Sequence, residues 1–147
     1  MSWVWNNADK LGNLSQVLVA MTAIGAVFFT YLQIRSATIS QREATAKNLY
    51  REYLLLAFKH PELATPEDDT KLIASDKYRW FVAVLLNCCD EILAGVGHDP
   101  VWRDVIIADL EYHLPCLKSK FFLDNDQDRG WSLYSGKLEY LFNKAYP

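Results

Sequence analysis

No Asp, Glu, Lys or Arg occurs between Lys10 and Arg35, and the uncharged run Leu11 to Ile34 contains the apolar stretch LSQVLVAMTAIGAVFFTYLQI. A helix over this run measures about 36 Å, against roughly 30 Å of bilayer hydrocarbon, so it is long enough to span with some tilt. A cleaved secretory signal would want a basic leader, a shorter apolar stretch and small residues at the cut, whereas this run closes on Tyr31, Leu32, Gln33, Ile34 and Arg35. A core helix of a water-soluble fold would need protein on nearly every side, more than the rest of the chain can supply. The expectation is therefore one transmembrane helix over 14–34, preceded by a short outer tail over 1–13.

The flanks set the expected orientation. Lys10 sits beside Asp9 on one side, while Arg35, Arg42, Lys47 and Arg51 follow on the other, so the basic side is assigned to the cytosol. Trp3 and Trp5 are expected at the outer interface, with Tyr31, Arg35 and Arg42 anchoring the inner one. The segment SATISQREATAK has neither Gly nor Pro, which predicts one unbroken helix from about Leu14 to Phe58. Residues 35–60 form its juxtamembrane part, and 61–147 a cytosolic helical domain.

Five polar residues interrupt the apolar run: Ser15, Gln16, Thr22, Thr30 and Gln33. At 100° per residue, Ser15, Thr22, Ala26 and Gln33 fall within a sector of about 40°, and Thr22, Ala26 and Thr30 also make a small-residue row at four-residue spacing. Three readings stand: hydroxyls bonded back to their own helix, a homo-oligomer interface, or the lining of a polar passage in a ring of helices.

The remaining chain reads as helical. Leu49, Tyr50, Tyr53, Leu54 and Ala57 keep helical spacing until Pro61 and Pro66. Asp76 is the expected N-cap of the next helix, with Tyr78, Phe81, Leu85, Cys88 and Ile92 inward and Gly95 and Gly97 closing it. Asp99 and Pro100 open another, with Trp102, Ile106, Leu110 and Leu114 on its buried edge. A short helix near Cys116 to Phe122 and a last one from about Ser135 to Tyr146, with Leu138, Leu141 and Phe142 inward, complete an all-α fold: one N-terminal transmembrane helix continuing into a small cytosolic bundle.

Chemistry is sparse. A net charge of -3 gives no clear nucleic-acid surface, and Cys88, Cys89 and Cys116 suit reduced thiols better than a disulfide framework. Asp124, Asp126 and Asp128 match the start of a calcium loop, but Arg129 stands where that loop needs Gly and Ser135 where it needs Glu. The acidic cluster Glu62, Glu67, Asp68 and Asp69 lacks a fixed ligand spacing. Cys88, Cys89, His113 and Cys116 offer zinc-type ligands without a chelating spacing. Asp109 and His113, four apart, could hold a hydrogen bond that is half of a catalytic pair, yet no nucleophile accompanies them. Glu91 is a candidate buried polar group. No cofactor, metal or catalytic residue is assigned.

One span, then YREYLLLAFKHPELA, an aromatic-rich helix ending in DEIL, VWRDVI with DLEYHLP, and a closing YSGKLEYL together resemble small bacterial single-span membrane proteins with a helical cytosolic domain. The plan is also similar to that of the membrane pore accessory proteins of type VI-B CRISPR systems. That resemblance implies a homo-oligomer in the bacterial inner membrane that forms a pore or disrupts the membrane in antiphage defence. It also implies a domain similar to the HEPN nucleases, which set Arg and His about four to six residues apart on one helix. Here eight residues separate Arg51 from His60 and nine separate Arg103 from His113, so the ribonuclease alternative lacks its motif. A further alternative is a membrane-tethered binding or signalling module for a cytosolic protein or ligand.

Overall fold

The computed structural model describes residues 2–66, 72, 75–119, 122 and 130–147, with side chains from Ser15 onward. The described elements are all helical: α1 (Ser2–Lys59), α2 (Pro61–Ala64), α3 (Asp76–Val96), α4 (Pro100–Glu111), α5 (Leu114–Leu117), a 3-10 turn (Trp131–Leu133) and α6 (Gly136–Ala145). The all-α class is thus as expected, and α1 runs through the juxtamembrane segment without a break. Its backbone is helical from Ser2, so residues expected as a tail are part of the helix.

The chain divides into two compact units, Met1–Gln41 and Arg42–Pro147. The second unit therefore begins inside the stretch read as juxtamembrane, because the last turns of α1 belong to its core. Ala46 and Tyr53 are buried, and Leu49, Tyr50, Leu56 and Ala57 pack beside them. That is a helical stripe in steps of three and four. Leu54, which shares the helical spacing, is exposed, and Ala46 takes a core place that its small side chain did not advertise.

Helix α3 organises the second unit. Tyr78, Phe81, Leu85, Cys88 and Ile92 are all buried, joined by Val82, Leu86, Cys89, Leu93 and Val96, so its apolar face is broad enough to serve several neighbours. It packs against α4 and α6, which also pack on each other. Ile106 and Leu110 fill the α4 side, Leu138 and Phe142 the α6 side, while Trp102, Leu114 and Leu141 are partly buried. Aromatic rings join the end of α1 to this core: Tyr50 meets Trp102 edge-on at 5.7 Å and Tyr53 tilts over Phe81 at 5.8 Å.

The caps explain the helix limits. Ser75, not Asp76, caps α3, its hydroxyl accepting from the Tyr78 amide at 3.3 Å. Asp99 caps α4 by accepting from the Val101 amide at 2.9 Å, with Pro100 at the first helical position. Helix α4 stops at Glu111, and Pro115 lies in the short α5 that follows. Ser135 caps α6 in backbone terms and gives its amide to Asp90 at 3.0 Å, while its hydroxyl also donates to the Asp90 carboxylate. At the other end of α6, the Tyr146 hydroxyl donates to the Ile107 carbonyl at 2.7 Å.

Asp90, rather than its neighbour Glu91, is therefore the acidic residue that ties two elements together; Glu91 is exposed. Asp90→Ala is expected to lower unfolding stability by about 1 kcal/mol, and Glu91→Ala to change it by less than about 0.5 kcal/mol, in denaturant titrations of the full chain.

Candidate functional sites

The threonine hydroxyls of the α1 stripe find their partners within the helix. Thr22 donates to the carbonyls of Leu18 and Val19 at 3.0 and 2.9 Å, and Thr30 to that of Ala26 at 2.8 Å. Past the apolar run, Thr38 does the same to Ile34 at 2.8 Å. Each threonine donates its proton within its own helix and turns small apolar surface outward. Ser15, Thr22, Ala26, Thr30 and Gln33 are all exposed. Neither Gln16 nor Gln33 makes a side-chain hydrogen bond among the described residues.

The expected anchors are placed differently from one another. Tyr31 and Arg35 are exposed on α1. Arg42 opens the second unit and lines a cavity there. The side chains of Trp3 and Trp5 lie outside the described residues. None of the window that qualifies α1 to cross a membrane is buried in the protein, and it is the one such helix among the described residues.

Within the second unit, the polar groups of the core gather around His113. This residue is fully buried at the junction between α4 and α5, with Nδ1 2.8 Å from the Tyr78 hydroxyl and the Phe81 ring 5.8 Å away. Burial pushes its pKa down to about 4, so the ring is neutral at neutral pH. Either tautomer satisfies Nδ1 through Tyr78 and leaves Nε2 without a partner among the described residues.

Asp109 does not pair with His113. Four-residue spacing brings side chains together only along a continuing helix, and α4 ends at Glu111 between the two. Tyr50 of α1 faces Asp109 instead. Burial raises the Asp109 pKa and the nearby Tyr50 hydroxyl opposes that rise, while Oδ2 has no hydrogen-bond partner among the described residues. Tyr50 and Tyr53 are themselves raised, first by burial and then by the Asp109 charge.

The thiols beside this cluster are unreactive by environment. Burial lifts Cys88 to about 11, Cys89 well above the usual thiol range and Cys116 upward as well, so none is a ready thiolate. Among the described residues no group of three or more His, Cys, Asp or Glu is gathered to hold a metal ion. Asp124, Asp126, Asp128 and Arg129 lie outside the described residues, as do Glu67, Asp68 and Asp69. Glu62 instead accepts from Lys77 at 3.0 Å and sits 3.4 Å from His60. Arg51 and Arg103 are exposed while His113 is buried, so no Arg–His constellation of nuclease type forms with it.

The partnership of Tyr78 with His113 spans 35 positions of sequence and had no local signal beyond an inward Tyr. Compared with family models, curated proteins and solved structures, the chain matches none.

His113 and Asp109 act in opposite senses. His113 binds its proton less well folded than unfolded, so its contribution is full above pH 6.5 and is lost as pH falls toward 4, on the order of 3 kcal/mol in all. His113→Gln should be less stable at pH 7 yet lose this acid slope in denaturant midpoints measured across that window. Asp109 is raised, so its carboxylate weighs against folding once pH exceeds its folded value; Asp109→Asn should raise stability at pH 7.

Proposed function

We propose that this chain is a single-span membrane protein that self-associates through the small-residue face of its span and holds its helical unit at the cytosolic surface. One observation carries the reading: from Val17 to Ile34, large apolar side chains including Leu18, Ile24, Val27 and Phe28 are exposed all along α1, while the unit Arg42–Pro147 has its own buried core. Patches on water-soluble monomers rarely exceed a few hundred Å², and an apolar sleeve around a whole helix goes well beyond that. Hydrocarbon is the solvent that suits it.

The basic residues Arg35, Arg42, Lys47 and Arg51 support an inside location for the second unit, and the resemblance noted above points to a bacterial inner membrane. Thr22, Ala26 and Thr30 favour packing over a passage. The two threonines already give their hydroxyl protons to α1 carbonyls, and the small outlines of all three residues let a second copy approach closely. A membrane-permeabilising role in antiphage defence is the second reading, favoured by Gln16 and Gln33, whose amides would find partners across a wet lumen.

Mass measurement of the full chain in nanodiscs or detergent tests self-association. A dimer or larger species is expected, and Ala26→Leu should weaken it roughly fivefold or more, whereas a monomer at every concentration would leave only a tethered module. Dye-loaded vesicles separate the two readings: packing predicts retained dye despite correct insertion, and permeabilisation predicts leakage that Gln33→Leu reduces.

A further inference from the structure

The second unit contains a cavity of about 380 Å³ whose described lining holds Arg42, Arg103, Lys137 and Lys144, with His98 and Tyr140 beside them and no Asp or Glu. Three helices and the turn after α3 bring these residues together: Arg42 from α1, Arg103 from α4, and Lys137, Tyr140 and Lys144 from one face of α6. None of the four cations forms an ion pair with a described residue. The chain as a whole is acidic, with a net charge of -3, so this local reversal is not a by-product of composition. Like charges converging on one concavity repel one another until an anion fills it.

Gly95 sharpens the case. It lines the cavity from the last turn of α3, and a Cβ added there would meet nothing within 4 Å. A glycine inside a helix costs about 1 kcal/mol relative to alanine, and packing does not require one here. Its absence of side chain keeps the cavity open.

We propose that this cavity binds a phosphate-bearing anion through Arg42, Arg103, Lys137 and Lys144. Guanidinium and ammonium groups together suit phosphate oxygens, the arginines by paired N–H donors and the lysines as point charges. The volume lies at the small end of ligand sites, enough for a phosphorylated small molecule or a lipid headgroup. A lipid headgroup is a source to test because only seven residues of sequence separate Ile34 from Arg42. Only that source rests on the membrane reading.

The test uses the full chain in two arms. In nanodiscs of neutral phosphatidylcholine, calorimetry with pyrophosphate reads the soluble source. In nanodiscs that also contain phosphatidylglycerol, native mass spectrometry reads lipid retained by the released protein. Lys137→Ala with Lys144→Ala should weaken binding about tenfold or more in whichever arm is positive. Gly95→Leu, which keeps every charge and favours the helix, should do the same by filling the space. Lys59→Ala with Lys118→Ala, an equal loss of charge outside the cavity, should change affinity less than about twofold. Binding in neither arm, binding that survives Gly95→Leu, or an equal loss in the outside pair would overturn the proposal. Pyrophosphate binding by a chain that fails to insert would overturn the membrane reading and leave the cavity standing.

Discussion

From Val17 to Ile34 α1 exposes large apolar side chains, and the membrane placement proposed above is what would give that exposure a suitable solvent. On that proposal the segment has to satisfy its backbone within itself, which fits the unbroken helix and the absence of Pro through this part of the chain. The same rule governs its hydroxyls. Thr22, Thr30 and Thr38 each return a proton to a carbonyl of the preceding turn, so what reads as a polar stripe is largely a stripe of small, internally satisfied side chains. Gln16 and Gln33 are different, since an amide has more donors and acceptors than a helix turn can satisfy.

The second unit buries its apolar side chains in a core of its own. Its core is assembled around α3, and α1 contributes Ala46 and Tyr53 to it, so the same helix carries both the exposed apolar run and part of this buried core. The polar groups left inside that core, His113, Tyr78, Asp109 and Tyr50, are held neutral or half-satisfied by burial, and the nearby thiols are held protonated. These are the marks of a structural network rather than a reactive one. Any recognition by this unit is better placed at its surface, where cations cluster without counter-charges.

Much of the fold was legible in the sequence because period and punctuation agreed. Tyr78, Phe81, Leu85, Cys88 and Ile92 announced α3, and Asp99 with Pro100 announced α4. What escaped depended on distance along the chain. Asp90 finds Ser135, Tyr78 finds His113 and Asp109 finds Tyr50, all between elements far apart in sequence, while the expected Asp109–His113 pair failed because α4 ends between them. Ala46 escaped because a small residue gives no hydrophobic signal, and the basic cavity because its residues are scattered from Arg42 to Lys144.

Whether hydrocarbon, rather than protein or water, surrounds α1 from Val17 to Ile34 can be read from thiol accessibility. Single cysteines placed at Ile24 and Gln41, in a full chain with Cys88, Cys89 and Cys116 replaced, can be challenged with a membrane-impermeant maleimide in inside-out vesicles. A spanning α1 gives labelling at Gln41→Cys and protection at Ile24→Cys until detergent is added. Equal labelling of both positions in intact vesicles would contradict it.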